Sequence, residues 1–218
     1  MDRAYLEIFF LCGMVFQLIL LVAYIRRFIL NNYWSYFNEQ ERQYSIFVLI
    51  GYQILPLIYL FSTWFSWFDY NLPKWLGFPA FALYCFGFWL FFKAYTELGS
   101  SWSVNTAVRE GQKLVTDGLF KWVRHPMYAA IAAVAIAQIF MLQNWLVGPA
   151  FLITATPFYK YIVAREEKQL INHFGEQYLQ YMRETNALFP RLDKINYTPI
   201  LSKLDKLKVF LLSKFKRS

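Results

Sequence analysis

The chain has 218 residues, of which 58% are hydrophobic and 22% aromatic, and its formal net charge is +8 at pH 7. Several apolar runs approach or exceed the roughly 20 residues that cross a bilayer as a helix, which excludes an ordinary soluble domain. The positive charge flanks these runs without any nucleic-acid motif, so we expect a lipid bilayer as the partner and no nucleic acid.

Three apolar segments dominate residues 1–97, which we interpret as a transmembrane scaffold of three spans. They are residues 4–25, 46–68 and 75–92. The first segment has no basic leading region and no small-residue cleavage site, which favours a retained helix over a signal peptide. Cys12 and Cys85 lie inside these segments and form neither a redox motif nor a metal-binding motif.

A polar connection, residues 98–125, begins the predicted catalytic half of the chain, residues 98–192. A connection of this length in a compact protein is usually functional or disordered. The turn signals Glu110-Gly111 and Asp117-Gly118 favour a segment that folds against the membrane face.

The connection ends in the string Arg124-His125-Pro126-Met127-Tyr128. Proline disfavours helix in the residue before it and suits the first helical position, so we expect His125 to precede a helix that has Tyr128 in its first turn. Charged residues beside a membrane span are costly and usually serve a function. The alternative is an arginine that binds lipid phosphate beside a histidine that caps the helix.

A second apolar hairpin is predicted from residues 127–142 and 145–163, joined by Gln143-Asn144. The first arm is short for a crossing of about 20 residues, so it either spans with its ends buried in protein or enters the membrane and turns back. Pro149 and Pro157 predict kinks in the second arm. With the scaffold, the hairpin gives an all-α integral membrane protein of about five transmembrane helices.

Basic residues predict how the chain is oriented in the membrane. They concentrate in the connections on one side, at Arg26, Arg27, Arg42, Arg109, Lys113, Lys121, Arg124, Lys160, Arg165 and Lys168. The positive-inside rule then places the C-terminus and the polar connection in the cytosol and the N-terminus outside. We therefore expect a multi-pass protein with a cytosolic cofactor-binding loop.

The segment after the last span, AREEKQLINHFGEQYLQYM, is predicted to form one helix that leaves the membrane. Glu166, Leu170, Phe174 and Tyr178 recur about every four residues and would line one face. A carboxylate among aromatic rings suits a cationic or aromatic ligand. The alternative is an amphipathic helix with a solvated glutamate pair. Two histidines in the whole chain argue against a metal centre.

The tail, residues 193–218, places apolar residues on one helical face and most of its lysines on the other. This pattern is typical of a basic helix in the membrane interface that binds anionic lipid. A solvated, frayed end is the alternative.

These motifs together resemble the isoprenylcysteine carboxyl methyltransferase family and the related membrane phospholipid methyltransferases. The resemblance covers residues 98–192 and is carried by the strings LGSSWS, EGQKLVTDGLFKWVRHPMY and AREEKQLINHFGEQYLQYMRETNALFPRL. It implies a membrane methyltransferase that binds S-adenosylmethionine on the cytosolic side. A lipophilic acceptor, with the carboxylate of a prenylated cysteine as a candidate, would enter sideways between helices.

The resemblance also implies roles for individual residues. The cofactor would be bound by Lys113, Leu114, Val115, Gly118, Arg124, His125, Pro126, Tyr128, Glu166, Phe174 and Tyr178. Arg165 and Glu166 are the predicted catalytic residues, and both would lie near the acceptor. The family pattern has an arginine one helical turn before the first glutamate, where this chain has Ile162. Adjacent helical residues point about 100° apart, so we do not expect Arg165 to replace that arginine directly.

Two other functions are compatible with parts of this pattern. Membrane sterol reductases resemble the same half of the chain, including an Arg-His-Pro element and a later Glu-Glu pair, and they use NADPH. They usually have more spans before that half than this chain offers. A non-catalytic membrane scaffold would bind neither cofactor.

Overall fold

The computed structural model describes residues 1–29, 39–99 and 113–191, with side chains of the first range described to residue 19. These residues form seven α-helices: α1 (Arg3–Ile29), α2 (Glu39–Leu49), α3 (Leu55–Phe61), α4 (Gly77–Leu98), α5 (Pro126–Leu142), α6 (Val147–Phe174) and α7 (Glu176–Glu184). The described ranges contain isolated bridges but no β-strand, which confirms the all-α prediction for them. The predicted turn at Glu110-Gly111 and the basic tail lie outside the described residues.

Within the described residues, two stretches of helix are long and apolar enough to cross a membrane. They are Glu39–Phe61, where a π-helical turn at Ile50–Ile54 joins α2 to α3, and Lys74–Leu98. Only 28% of the residues in the apolar window of each are buried inside the protein. A core helix of a soluble protein would bury most of its apolar residues, so this exposure fits helices that face lipid.

The second predicted span, residues 46–68, has different bounds in the structure. The helix begins seven residues earlier, at Glu39, and ends at Phe61 because the backbone at Ser62 is extended. Residues 62–68 form a turn that exposes Trp64 and Trp67. Serine and threonine compete with helical hydrogen bonds through their side chains, which explains the end at Ser62-Thr63.

The connection between α5 and α6 has four residues, 143–146, two more than predicted, and it begins with the predicted pair Gln143-Asn144. Gln143 adopts a left-handed conformation with φ of 47°, which ends α5. The side-chain oxygen of Asn144 accepts hydrogen bonds from the backbone N–H groups of Leu146 and Val147 at 3.0 and 2.9 Å, and so caps α6. Pro157 lies inside α6, which continues through it to Phe174.

Small residues allow helices α4, α5 and α6 to approach closely. Ala130, Ala135 and Ala137 of α5 are almost fully buried. A Cβ on Gly87 of α4 would lie 3.1 Å from the carbonyl oxygen of Ala130. Close packing of small residues is the usual way to join membrane helices, because lipid offers no hydrophobic drive for association.

A polar network fixes one end of the bundle. Asp69 accepts hydrogen bonds from Arg3, from the Tyr59 hydroxyl and from the Asn144 amide at 2.7, 3.1 and 2.8 Å. Tyr59 also donates to the carbonyl of Leu142 at 3.0 Å. The N-terminus of α1, the end of α3 and the α5–α6 connection therefore meet at this end.

We predict that Gly51→Ala destabilises the protein. Gly51 lies in the π-helical turn, and a Cβ there would lie 2.8 Å from the carbonyl oxygen of Ala150 in α6. Backbone atoms cannot move aside cheaply, so the free energy of unfolding should fall by about 1–3 kcal/mol. Thermal unfolding in detergent measures this change. The exposed Ile46→Ala in the same helix is the control, and an equal effect of both changes would contradict the prediction.

Candidate active site

The segment that contains Arg124 and His125 pairs with the chain that follows α7. The backbone N–H of Arg124 donates to the carbonyl of Asn186 at 2.8 Å, and that of His125 donates to Ala187 at 2.9 Å. His125 precedes α5 with a non-helical backbone (φ −125°, ψ 65°), and Pro126 is the first helical residue, as predicted. These backbone bonds place the basic pair against the end of α6.

Arg124 is held by groups of the protein itself. Its Nε and Nη2 donate to Oε1 of Glu167 at 3.0 and 2.6 Å. Its Nη1 donates to the carbonyls of Met182 and Thr185. The side chain is only 10% exposed. Arg124 therefore ties the start of α5 to α6 and to the end of α7.

His125 is 5% exposed and lies between two carboxylates. Its Nε2 is 3.0 Å from Oε1 of Glu167, which is hydrogen-bonding distance, and its Nδ1 is 3.7 Å from Oε2 of Glu166. Glu167 is thus the shared partner of Arg124 and His125. The glutamate pair is divided: Glu167 holds the basic residues, and Glu166 faces them without a hydrogen bond.

The two carboxyl groups have opposite pKa shifts. Burial raises the pKa of Glu166, and the facing His125 and the Tyr128 hydroxyl offset this only in part. Burial also acts to raise the pKa of Glu167, but the hydrogen bonds from His125 and Arg124 outweigh it and hold the pKa below its ordinary value. Neighbouring residues with opposite shifts are typical of a functional site.

The shift of Glu167 predicts how stability depends on pH. A lowered pKa in the folded protein contributes stability above the ordinary pKa of 4.5, and this contribution is lost as the pH falls through 4.5 toward the folded value. We expect the melting temperature of the wild type to fall below this pH more steeply than that of Glu167→Gln. Thermal unfolding from about pH 7 to about pH 3 measures the two curves. Parallel curves would contradict the assignment.

Three buried side-chain oxygen atoms of α6 and α7 have no hydrogen-bond partner among the described residues. They are Oε2 of Glu166, Oε1 of Gln169 and the hydroxyl of Tyr178. Although 31% of the Glu166 side chain is exposed, its Oε2 is enclosed. The pKa of Tyr178 is raised by burial and by the charge of Glu167. Buried polar groups are normally hydrogen-bonded, so each of these atoms fits a ligand that supplies N–H groups or positive charge.

One predicted helix is two helices in the structure. The segment AREEKQLINHFGEQYLQYM is interrupted at Gly175, where φ is +55°. Glycine tolerates this left-handed conformation and ends many helices, so α6 stops at Phe174 and α7 starts at Glu176. Phe174 and Tyr178 therefore do not share one helix face, although Tyr178 is 1% exposed and packs within the site.

The remaining predicted residues lie around this cluster. Tyr128 is in the first turn of α5, and its ring centroid is 5.6 Å from that of His125. Lys113, Leu114 and Val115 lie in an irregular segment that leads to Gly118. Gly118 has φ of +61°, and a Cβ there would lie 2.5 Å from Glu97, whose carboxylate accepts a hydrogen bond from the Leu119 N–H. Leu114, Val115 and Phe174 are outside the hydrogen-bond network of Arg124, His125 and Glu167.

Arg165 has a partner that the sequence did not predict. Its Nη1 forms an ion pair with Glu41 of α2, whose residue is 3% exposed. The sequence did not predict the ion pair of Glu41, the hydrogen bonds of Glu167 to Arg124 and His125, or the buried oxygen of Gln169. Gln169 alone had a signal, because it follows Glu166 by three residues and so lies on nearly the same helix face.

Most of these site residues lie in a region that is similar to a known protein family. Residues 80–172 match the model of the isoprenylcysteine carboxyl methyltransferase family. The match covers less than half of the chain. It includes Arg124, His125, Glu166, Glu167 and Gln169, whereas Glu41 and α7 lie outside it.

Curated relatives of the chain carry the same family name. Human protein-S-isoprenylcysteine O-methyltransferase is 28% identical over 146 residues, which cover 62% of this chain and 51% of the human protein. The relative from Schizosaccharomyces pombe is 30% identical over 108 residues, covering 49% and 46% of the two chains. The chain thus spans about half the length of the curated relatives it matches.

A solved structure has the same fold. The eukaryotic intramembrane Ras methyltransferase of this family is 24% identical, and the superposition covers 73% of this chain and 56% of that chain with a TM-score of 0.53. This likeness shows the fold, and the exposed apolar helices of the described residues fit a protein that spans a membrane. The resemblance predicted from the sequence is confirmed.

Proposed function

We propose that the protein is a membrane-embedded, S-adenosylmethionine-dependent methyltransferase that methylates the carboxylate of a prenylated cysteine. The observation that carries this proposal is the set of buried, unpartnered polar atoms on Glu166, Gln169 and Tyr178 beside the Arg124–His125–Glu167 cluster. Two of these three residues lie in the region that matches the model of the isoprenylcysteine carboxyl methyltransferase family.

The described residues fit the cofactor. S-adenosylmethionine, when bound, supplies a methyl group activated by a positively charged sulfur. The carboxylate of Glu166 and the amide oxygen of Gln169 accept hydrogen bonds and favour a cationic ligand that carries N–H groups. The Tyr178 hydroxyl supplies a further polar contact. Lys113, Leu114, Val115, Gly118, Pro126, Tyr128 and Phe174 remain proposed neighbours of the cofactor.

Arg124 and His125 have a positioning role in this proposal. The guanidinium of Arg124 is already bound by Glu167 and two carbonyls, so it fixes the start of α5 and does not reach for a ligand. The ring of His125 is held by Glu167 and faces Glu166. Groups that are fixed before the ligand binds lose little entropy on binding.

Methylation of a carboxylate acceptor requires few catalytic groups from the protein. It loses its negative charge on methylation and releases no proton, so the site needs no general base for it. The residues must bring the two reactants to about 3–3.5 Å and exclude water. With an amine or thiol acceptor a proton would leave, and Glu166 would be the base.

We also propose a multi-pass arrangement with five spans and the C-terminus in the cytosol. In support, the polar network of Asp69 joins helix ends on one side, and the ion pair between Glu41 and Arg165 joins the start of α2 to the later part of α6 on the other. Labelling of single cysteines from each side of sealed vesicles tests this arrangement. Cysteines near the Asp69 network and near Arg165 should react from opposite sides, and reaction from one side would contradict it.

Calorimetric titration of the detergent-purified protein with S-adenosylmethionine, repeated with NADPH, tests the cofactor. We expect saturable binding of S-adenosylmethionine alone, followed by methyl transfer to N-acetyl-S-farnesylcysteine. Binding of NADPH alone would favour a reductase. Binding of neither by folded protein would favour a scaffold.

A further inference from the structure

We propose that Arg165 binds the carboxylate of the acceptor and that Glu41 is the residue that positions Arg165. This inference rests on the proposed function and assigns the acceptor's charged end to a place in the site. Glu41 comes from α2, outside the region matched by the family model. The scaffold half of the chain would thereby contribute to acceptor recognition.

The charges of the site leave few groups that suit an anion. Glu166 and Gln169 present oxygen atoms that accept hydrogen bonds, and these repel a carboxylate. The guanidinium of Arg124 already donates its hydrogen bonds to Glu167 and to backbone carbonyls. Arg165 lies about 100° around α6 from Glu166, so its cation borders the site on the side of α2, where Glu41 holds it.

The contact with Glu41 engages only one edge of the Arg165 guanidinium. Nη1 is buried in the ion pair, while 30% of the side chain is exposed. A guanidinium has five N–H donors in a planar fork, so it can bind a second carboxylate with its other edge. Holding one edge in advance reduces the side-chain entropy that acceptor binding would otherwise cost.

The ion pair lies against the same site. Tyr128, which packs on His125, is within electrostatic reach of both Glu166 and Glu41. One turn along both helices, the rings of Tyr44 and Tyr161 pack with centroids 5.4 Å apart. The α2–α6 contact that carries Glu41 is therefore fixed by aromatic packing and borders the cofactor side of the cluster.

The first test is Arg165→Gln, assayed with N-acetyl-S-farnesylcysteine. Loss of charge-assisted hydrogen bonds should raise KM for this acid about 10- to 100-fold. The carboxylate loses charge as the ester forms, so Arg165 stabilises the bound substrate more than the transition state and kcat should change little. The inhibition constant of N-acetyl-S-farnesylcysteine methyl ester, which has no charge, and the Kd of S-adenosylmethionine should match the wild type.

Glu41→Gln and Glu41→Leu together test the positioning role. Both remove the negative charge, but only glutamine keeps a polar oxygen beside Nη1 of Arg165. KM for the acid should therefore be about fivefold higher in Glu41→Leu than in Glu41→Gln, with equal ester inhibition. Glu39→Gln is the matched control, because Glu39 lies in the same first turn but forms an exposed pair with Arg42.

Several outcomes would overturn the inference. An unchanged KM in Arg165→Gln, equal KM values in the two Glu41 variants, or an equal loss of affinity for acid and ester would each do so. If Arg165→Gln does not fold because Glu41 loses this counter-ion, the double variant Glu41→Gln/Arg165→Gln carries neither charge and must show the same rise in KM. A wild type that transfers no methyl group would instead contradict the proposed function.

Discussion

Glu167→Gln is expected to lower the free energy of unfolding by about 2–3 kcal/mol. Oε1 of Glu167 accepts hydrogen bonds from Nε and Nη2 of Arg124 and lies 3.0 Å from Nε2 of His125. Glutamine offers one amide oxygen without charge, so the mostly buried guanidinium loses its counter-ion. Removing one partner of such a pair costs more than the pair itself contributes.

The loss should extend to cofactor binding. Arg124 also holds the carbonyls of Met182 and Thr185, so a displaced guanidinium loosens the end of α7 and the Tyr178 that it carries. Thermal unfolding and calorimetry with S-adenosylmethionine measure the two effects. Glu176→Gln, which breaks an exposed ion pair with Arg183, is the control and should change stability by less than about 1 kcal/mol. A Glu167→Gln variant as stable as this control would contradict the prediction.

The start of the site could be predicted from the sequence because its signals are local. Proline fixes its own backbone and restricts the preceding residue, so His125-Pro126 located the beginning of α5. Gln143-Asn144 located the hairpin turn for a similar reason, since asparagine caps helices well. Gly175 was a local signal that was not used, and the predicted continuous helix was wrong there.

The partners of the charged residues could not be predicted in this way. Glu166 and Glu167 are adjacent, and the rotation of α6 about its axis decides which of them meets Arg124. That rotation is set by packing against α5 and by the backbone pairing of Arg124 with Asn186. Glu41 is brought to Arg165 by the packing of α2 on α6, which leaves no trace in the local pattern of either segment.

Glu166→Gln should have the opposite balance of effects from Glu167→Gln. Its Oε2 is buried without a hydrogen bond, and burial raises its pKa, so the folded protein gains little from this carboxylate. Removing the charge should leave the melting temperature unchanged or slightly higher. The same charge is expected to bind the cationic cofactor, so its affinity for S-adenosylmethionine should fall about 10- to 100-fold and kcat/KM should fall with it.

Glu167→Gln and Glu166→Gln together distinguish a residue that stabilises the folded site from a residue that binds the cofactor. Neighbouring residues of one helix, changed in the same chemical way, should give a stability loss in one case and an activity loss in the other. Calorimetry, turnover of N-acetyl-S-farnesylcysteine and thermal unfolding on both proteins provide the comparison. Unchanged turnover in Glu166→Gln would remove Glu166 from the active site. A stability loss equal to that of Glu167→Gln would show that Glu166 is a second counter-ion of His125, whose Nδ1 is 3.7 Å away.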